Sequence, residues 1–197
     1  PLYIANYCEN YCVYCGFNCY NHIQRMKLDM AQIEHEMQVI ADSGMEEILI
    51  LTGESRAQSD VEYIGEACKL ARKYFRMVGL EIYPVNTDEY RYLHQCGADY
   101  VTVFQETYDA DKYETLHLMG HKRVWPYRFD AQERALRGGM RGVCPPPPAP
   151  PASGKVPVPG TGRSTGGGAF GRRGRKIRNN VKFSSRFSAE RQLHVFA

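Results

Sequence analysis

The 197-residue sequence lacks the features that direct a protein to a membrane or out of the cell. It contains no apolar run long enough to span a bilayer, and it has no secretory signal segment. These absences predict a cytoplasmic protein without a membrane partner. Because the chain starts at Pro1 instead of methionine and a predicted strand follows at once, we also expect that an N-terminal part is missing.

Acidic residues are nearly absent from the end of the chain. Residues 144–197 contain ten Lys or Arg and one acidic residue, whereas residues 1–143 contain fifteen Lys or Arg and twenty-one Asp or Glu. The acidic charge of residues 1–143 gives no reason to expect nucleic-acid binding there. Eight of the eleven prolines lie within 145–159, and Gly- and Arg-rich sequence follows. Such a segment buries too little apolar surface to fold, so we predict one domain at 1–143 and a disordered tail at 144–197.

Three origins of this tail are considered. It could be a basic nucleic-acid-binding tail of the arginine–glycine kind, or a linker to a lost domain. It could also be an out-of-frame sequence that replaces the rest of a larger domain. We favour the last origin, because the composition changes at 144, inside an expected fifth strand, and no periodic element follows.

Strands and helices alternate along residues 1–143. Four β-then-α units predict an α/β fold with a parallel sheet, namely the N-terminal half of a (β/α)8 TIM-type barrel or part of a six-unit barrel. The expected strands are 2–4, 47–52, 79–83 and 99–105. The expected helices are 30–43 after an Asp29 cap, 59–75, one capped by Thr87 that ends near Gly97, 111–117 and 129–137.

A cysteine-rich loop follows the first predicted strand. Cys8, Cys12 and Cys15 have C-x3-C-x2-C spacing, and an odd total of seven cysteines disfavours disulfides. Three thiolates would leave one iron of a [4Fe–4S] cluster without a protein ligand. This pattern is typical of radical S-adenosylmethionine (SAM) enzymes, in which SAM binds that iron. A structural zinc site stays open as an alternative, with Cys19 as a fourth thiolate.

Further candidate residues follow the other predicted strands, where barrel enzymes place their chemistry. Thr52, Gly53 and Glu54 form a turn in which glycine allows a ligand to approach. The Glu54 carboxylate can accept hydrogen bonds from the SAM ammonium group, or it can be a solvated loop charge. Glu81 faces away from its apolar strand neighbours, which favours a place in the barrel lumen. Gln105 and Glu106 face opposite ways, so one of them is expected in the lumen.

Other candidates lie in the loops. Tyr14, between two of the cysteines, can pack near the cluster and the adenine of SAM, or simply within the loop. Arg123 and Arg128 can each bind a carboxylate of SAM or of a substrate, or pair at the surface. His117 and His121 could bind metal, although surface or loop positions are expected instead. Three further cysteines are expected to be buried small apolar residues: Cys19, Cys68 and Cys96.

Residues 1–143 resemble the 2-iminoacetate synthases, the radical SAM tyrosine lyases of thiamine biosynthesis. A related family, the tyrosine lyases of [FeFe]-hydrogenase maturation, shares the main motifs. The sequence His117-Leu-Met-Gly-His-Lys122 favours the thiamine family. The second-cluster motif that would decide between them belongs to a C-terminal region absent here. The matching stretches are 1–4, 8–17, 51–54, 103–108 and 128–139.

The resemblance implies a TIM-type barrel with a [4Fe–4S] cluster on Cys8, Cys12 and Cys15, and SAM on the open iron. The implied reaction cleaves the Cα–Cβ bond of L-tyrosine to 2-iminoacetate (dehydroglycine) and p-cresol. The implied partners are an electron donor such as flavodoxin or ferredoxin and a thiazole synthase that receives the product. We also weigh an inactive fragment and a zinc-binding module, and we expect half a barrel to be poorly active.

Overall fold

A computed structural model of the protein describes residues 1–144. The predicted disordered tail lies outside the described residues, apart from Cys144 at the end of the last strand. The strands are β1 (Leu2–Ala5), β2 (Tyr11–Cys12), β3 (Glu47–Thr52), β4 (Met77–Glu81), β5 (Tyr100–Thr102), β6 (His117–Met119) and β7 (Gly142–Cys144). The helices are α1 (Met30–Asp42), α2 (Val61–Ala71), α3 (Thr87–Gln95), α4 (Ala110–Leu116), α5 (Trp125–Phe129) and α6 (Ala131–Arg137), with a 3₁₀ turn at His121–Arg123.

Five strands form one parallel sheet in the order β1-β3-β4-β5-β7. Each neighbour is reached through a helical segment, as parallel pairing requires. The register places Leu51 beside Glu81, and Glu81 beside Thr102, so the carboxyl ends of the strands share one edge. The predicted α/β fold with a parallel sheet is confirmed. The fifth strand also forms where it was expected, as β7.

The apolar core lies between the sheet and the helices. Strand residues such as Ile4, Ile50 and Leu80 pack against helix residues such as Ile33 and Ile64, and all of them are buried. Central strands of a parallel sheet are covered on their faces, which explains their continuous apolar runs. Within residues 1–144, no helix is both long enough and apolar enough to cross a membrane.

Several predicted boundaries move when local capping is considered. α2 begins after Asp60, whose carboxylate accepts from the Tyr63 amide at 2.7 Å, and it ends at Ala71 instead of residue 75. α3 is capped by Asn86, not Thr87, because Glu89 accepts from the Asn86 amide. The helix predicted at 129–137 is two helices that meet at Asp130. The strands predicted at 79–83 and 99–105 are 77–81 and 100–102.

The sequence did not predict the short antiparallel pair of β2 and β6. It places Tyr11 opposite Met119 and Cys12 opposite His117. The Val13 amide adds a hydrogen bond to the Leu116 carbonyl at 3.0 Å. This pair fastens the cysteine loop to the segment after α4, so the loop after β1 and the loop after β5 form one structure.

Candidate functional site

The three motif cysteines lie on the loop that follows β1, at the carboxyl edge of the sheet. Cys12 is buried in β2, whereas Cys8 and Cys15 are half-buried. All three are free thiols, as are Cys19, Cys68 and Cys96. Cys68 and Cys96 are buried, as expected, but Cys19 is only half-buried.

Arg25 shapes the far side of this loop. Its guanidinium donates to the carbonyl oxygens of Asn6 at 2.8 Å, Phe17 at 3.0 Å and Asn18 at 2.8 Å. The Asn18 side chain in turn donates to the Cys15 carbonyl at 2.9 Å. A planar fork with five donors is suited to gathering several carbonyls of an irregular loop. Arg25 therefore fixes the backbone on either side of the cysteines.

Asn10 is the hub of the near side, and the sequence analysis missed it. Its buried amide nitrogen donates to Glu54 Oε2 at 2.9 Å and lies 3.7 Å from Cys8 Sγ. Its amide oxygen accepts from the Lys122 backbone amide at 2.9 Å. One side chain thus joins the cysteine loop, the turn after β3 and the segment after β6. A buried amide that both donates and accepts has no distinctive spacing, so only the position inside the motif could have signalled it.

Gly53 is required by the chain itself. A Cβ atom there would lie 2.2 Å from the Tyr7 carbonyl oxygen, and its amide donates to Ala5 at 2.8 Å. The space beside Gly53, which was predicted to admit a ligand, is occupied by the Tyr7 backbone. Close by, Ser55 donates to the Glu9 carboxylate at 2.6 Å. The turn after β3 therefore packs directly on the cysteine loop.

Glu54 and Arg128 form a buried ion pair. Arg128 Nη1 donates to Glu54 Oε1 at 2.8 Å, and their side chains are 5% and 15% exposed, respectively. Arg128 Nε also donates to the Phe104 carbonyl at 2.7 Å. Burial raises the pKa of Glu54, but the charges of Arg128 and Lys122 outweigh it and hold the pKa below its usual value. Both residues were candidates for binding SAM or tyrosine, and here they bind each other.

A second charged group lies over the carboxyl ends of β4 and β5. Lys122 Nζ binds Glu106 Oε1 at 2.8 Å. Burial raises the pKa of Glu106, but the charge and hydrogen bond of Lys122 outweigh burial and lower the pKa below its usual value, so this carboxylate is ionised. Glu81 differs, because burial raises its pKa and the opposing charge of Lys122 does not compensate. Within residues 1–144 no hydrogen bond to the Glu81 carboxylate is present, which leaves Glu81 the less committed of the two acids.

Two buried polar atoms at this edge have no hydrogen-bond partner in the described part of the chain. They are Thr52 Oγ1, at the end of β3, and Gln105 Nε2, just after β5. Burying such groups without a partner is costly, and where it occurs a ligand is a common explanation. Gln105 is buried, whereas Glu106 is exposed. Glu106 has a positive φ of 68°, in the left-handed region that non-glycine residues rarely adopt.

Tyr14 is linked to a histidine that was expected at the surface or in a loop. Its hydroxyl lies 2.7 Å from His117 Nε2. His117 is fully buried and stacks on Tyr113, with 3.8 Å between the ring centroids. Burial followed by the charge of Glu106 raises the pKa of Tyr14, so its hydroxyl stays protonated at neutral pH. The expected surface or loop position of His117 is wrong: His117 begins β6, and its ring faces the cysteine loop.

Arg123 lies apart from these groups. It pairs with Glu114 at 3.4 Å and donates to the Leu118 carbonyl at 3.2 Å, with its side chain 44% exposed. Its geometry matches the surface pairing that was the alternative to ligand binding.

A cavity of about 290 Å³ opens beside Glu54, lined by Tyr83, Pro84, Val124 and Tyr127 among others.

Residues 2–145 match the radical SAM superfamily. The chain belongs to this superfamily. The match covers nearly all the residues that the structure describes, and it agrees with a cysteine loop placed after the first strand of a parallel sheet.

Individual radical SAM relatives are similar over the same region. The chain is 38% identical to 2-iminoacetate synthase of Escherichia coli K12 over 140 residues, which is 71% of this chain and 37% of that protein. It is 27% identical to 3-methylornithine synthase of Methanosarcina barkeri over 73% of this chain and 40% of that protein. The crystal structure of HydG, a maturase of the [FeFe]-hydrogenase, matches with a TM-score of 0.70 and 31% identity, over 73% of this chain and 33% of that one. The chain therefore spans about two fifths or less of the length of these proteins.

The residues of this radical SAM chain fit an iron–sulfur cluster in donor type, and the three free thiols share one loop. Burial raises the pKa of Cys12 to about 11, with smaller contributions from Cys15, Glu54 and Cys8, although Lys122 opposes the shift. In residues 1–144, no three His, Cys, Asp or Glu side chains converge closely enough to hold a metal ion as they stand. Binding would therefore require the thiols to lose their protons and turn toward one another.

Proposed function

We propose that the protein is a radical SAM lyase that cleaves the Cα–Cβ bond of L-tyrosine to 2-iminoacetate and p-cresol for thiamine thiazole synthesis. One observation supports this most strongly: a three-thiol loop lies at the carboxyl edge of a radical SAM sheet, in a chain 38% identical to a 2-iminoacetate synthase. Because the chain spans 37% of that relative, the complete activity is part of the proposal.

The proposed metal ligands are Cys8, Cys12 and Cys15, which would hold a [4Fe–4S] cluster. Bound SAM would supply the radical chemistry. The residues of the chain would orient these groups and keep water away. Asn10 and Arg25 do so from the two sides of the loop, through the hydrogen bonds described above.

SAM is proposed to bind near the carboxyl end of β3. Thr52 Oγ1 is buried, has no hydrogen-bond partner among residues 1–144 and is proposed to bind a ligand. Glu54 already accepts from Asn10 and Arg128, but each carboxylate oxygen has two lone pairs and can accept again. Gly53 brings this turn against the cysteine loop, and Tyr14 is placed to pack on the nucleoside.

Tyrosine is proposed to bind over β4 and β5, where the available polar groups remain. Gln105 Nε2 has no partner in the described residues, and Glu81 has a raised pKa because of burial. Arg128 and Glu106 are also proposed as catalytic residues. Each is held in place by an ion pair, Arg128 with Glu54 and Glu106 with Lys122, and each would contribute its charge to the substrate site. Arg123 is the weakest of the proposed substrate contacts, because it pairs with Glu114 at the surface.

The partners proposed are a one-electron donor such as flavodoxin or ferredoxin and the thiazole synthase that takes 2-iminoacetate. The hydrogenase-maturation lyase is a second candidate, supported by the structural match to HydG. The two candidates differ in the use of the product, not in the site described here.

The experiment is anaerobic reconstitution with iron and sulfide, followed by incubation with SAM, a reductant and L-tyrosine. The expected products are 5′-deoxyadenosine and p-cresol in a one-to-one ratio. Formation of 5′-deoxyadenosine without p-cresol would reject tyrosine as substrate while keeping the radical SAM chemistry. A colourless zinc protein that forms neither product would reject the enzyme proposal.

A further inference from the structure

The Tyr14 hydroxyl of the cysteine loop has its partner outside that loop. Tyr14 stands between the second and third motif cysteines, and its hydroxyl is 2.7 Å from His117 Nε2. The same histidine lies opposite Cys12 in the β2–β6 pairing. The two rings meet edge to face, with 5.5 Å between their centroids. His117 therefore touches the loop at the point where its cysteines are most closely spaced.

The chemistry of His117 defines its direction of hydrogen bonding. Its Nδ1 lies 2.8 Å from the Tyr113 carbonyl oxygen, which can only accept, so Nδ1 carries the proton. With the proton on Nδ1, the neutral tautomer leaves a lone pair on Nε2, which faces the Tyr14 hydroxyl. The Tyr14 hydroxyl then donates to Nε2. The stacked Tyr113 ring and the Tyr113 carbonyl hold the imidazole in place, so the acceptor has a fixed position.

We propose that His117 is a positioning residue for the cysteine loop: its Nε2 holds the Tyr14 side chain, and Tyr14 sets where Cys12 and Cys15 point. This inference rests on the proposed function, because the placement is for a cluster. Tyr14 is 47% exposed, so packing alone does not select its rotamer. The hydrogen bond to a rigid, buried acceptor does.

A metal-ligand role for His117 is disfavoured by the same contacts. Both of its ring nitrogens already have partners, one on the backbone and one on Tyr14. His121, the other histidine of the predicted pair, is exposed and lies in the 3₁₀ turn. Within residues 1–144, the two histidines are not part of a metal-binding group.

The test measures the alkylation rate of each cysteine by mass spectrometry in the full chain without metal. Tyr14→Phe removes only the hydroxyl, and His117→Gln removes the fixed acceptor. Each substitution should speed alkylation of Cys12, which is buried, about threefold to tenfold, as expected for loss of one neutral hydrogen bond. The double variant should be no faster than the faster single variant, because both changes remove the same bond.

The matched control is His94→Gln. His94 Nδ1 also contacts a backbone carbonyl four residues away, that of Ala98 at 2.7 Å, but this histidine is on α3, remote from the loop. It should leave Cys12 unchanged. Cys68 and Cys96, both buried in the core, report general unfolding. Three results would each overturn the positioning role: equally faster alkylation of Cys68 and Cys96, an unchanged alkylation rate of Cys12, or a double variant in which the effects of Tyr14→Phe and His117→Gln on that rate add.

A second readout separates this inference from the proposed function. After reconstitution, Tyr14→Phe and His117→Gln should each alter the electron paramagnetic resonance (EPR) signal of the reduced cluster, whereas His94→Gln should not. If the unsubstituted chain forms no cluster, the proposed function fails, while the alkylation results still decide whether His117 positions the loop. A normal cluster signal in both variants would overturn the inference and leave the proposed function standing.

Discussion

The two edges of the parallel sheet each hold an arginine–carboxylate pair, and the pairs serve different ends. At the amino edge, Arg72 binds Asp99 at 2.6 Å, and Asp99 also accepts from the Val78 amide at 2.9 Å. This pair joins α2 to the start of β5. At the carboxyl edge, Arg128 binds Glu54 at 2.8 Å and extends through Asn10 to the cysteine loop.

The surroundings of the pairs differ more than the pairs themselves. The carboxyl edge also holds three free thiols and two buried polar atoms, on Thr52 and Gln105, that lack partners in the described residues. In α/β barrels the amino edge serves stability and the carboxyl edge holds the chemistry. Here the carboxyl edge leaves polar groups available to ligands, which is the arrangement expected of a binding site.

The largest predicted effect is the loss of the cluster from the carboxyl edge in Cys12→Ala. Removing one of three thiolates should lower the reconstituted iron content from about four atoms per chain to below about one. Iron and sulfide analysis with the visible absorption spectrum would measure this. Cys19→Ala is the control, because Cys19 lies in the same loop but outside the motif. Equal losses in the two variants would favour a four-cysteine site instead.

The second prediction compares the two ion pairs. Arg128→Met should destabilise the fold by about 3–5 kcal/mol, because it leaves a buried, unpaired Glu54. Arg72→Met should cost less, about 1–3 kcal/mol, because Asp99, although its side chain is only 12% exposed, keeps its hydrogen bond from the Val78 amide. Urea unfolding would give both values. The double variant Arg128→Met with Glu54→Leu should recover most of the loss, and equal costs for the two single variants would contradict the comparison.

The parts of this picture that local pattern determines were predictable from sequence. Apolar runs predicted the parallel strands, and the spacing of Cys8, Cys12 and Cys15 predicted a cysteine loop after the first strand. Strand ends and caps shifted by a few residues, because hydrogen bonds such as those of Asp60 and Glu89 decide them.

The contacts between distant loops were not predictable. Asn10 is hydrogen-bonded to Lys122, which is 112 residues away in the sequence, and Tyr14 to His117, which is 103 residues away. No local period relates such residues. The mutual pairing of Glu54 and Arg128 was missed for the same reason, since each alone looked like a ligand-binding group.

The third prediction compares two glycines with equally crowded surroundings. A Cβ at Gly53 would lie 2.2 Å from the Tyr7 backbone oxygen, and one at Gly79 would lie 2.2 Å from the Tyr100 ring. A backbone moves less easily than a side chain, so Gly53→Ala should destabilise by about 1–3 kcal/mol and lower cluster yield. Gly79→Ala should leave the cluster yield intact. Loss of the cluster in Gly79→Ala alone would contradict the close packing of the turn on the loop.

The smallest predicted effect is on the pH dependence of stability through Glu81. Burial raises its pKa in the folded state above the ordinary 4.5, so above that pH the folded state holds more protons than the unfolded state. Its contribution to stability therefore falls as pH rises from 4.5 through the folded-state pKa. Glu81→Gln should raise the thermal midpoint at pH 7.5 and change it little at pH 4.5. A variant less stable at pH 7.5 would show that Glu81 is a paired structural carboxylate.

The most direct test of the central claim is the EPR spectrum of the reduced, reconstituted chain with and without SAM. If Cys8, Cys12 and Cys15 hold a [4Fe–4S] cluster with one open iron, SAM should shift the signal of the reduced cluster by binding that iron. The shift should be absent in Cys12→Ala. A cluster signal that SAM leaves unchanged, or a chain that takes up zinc in place of iron, would contradict the account of the carboxyl edge as a SAM-binding site.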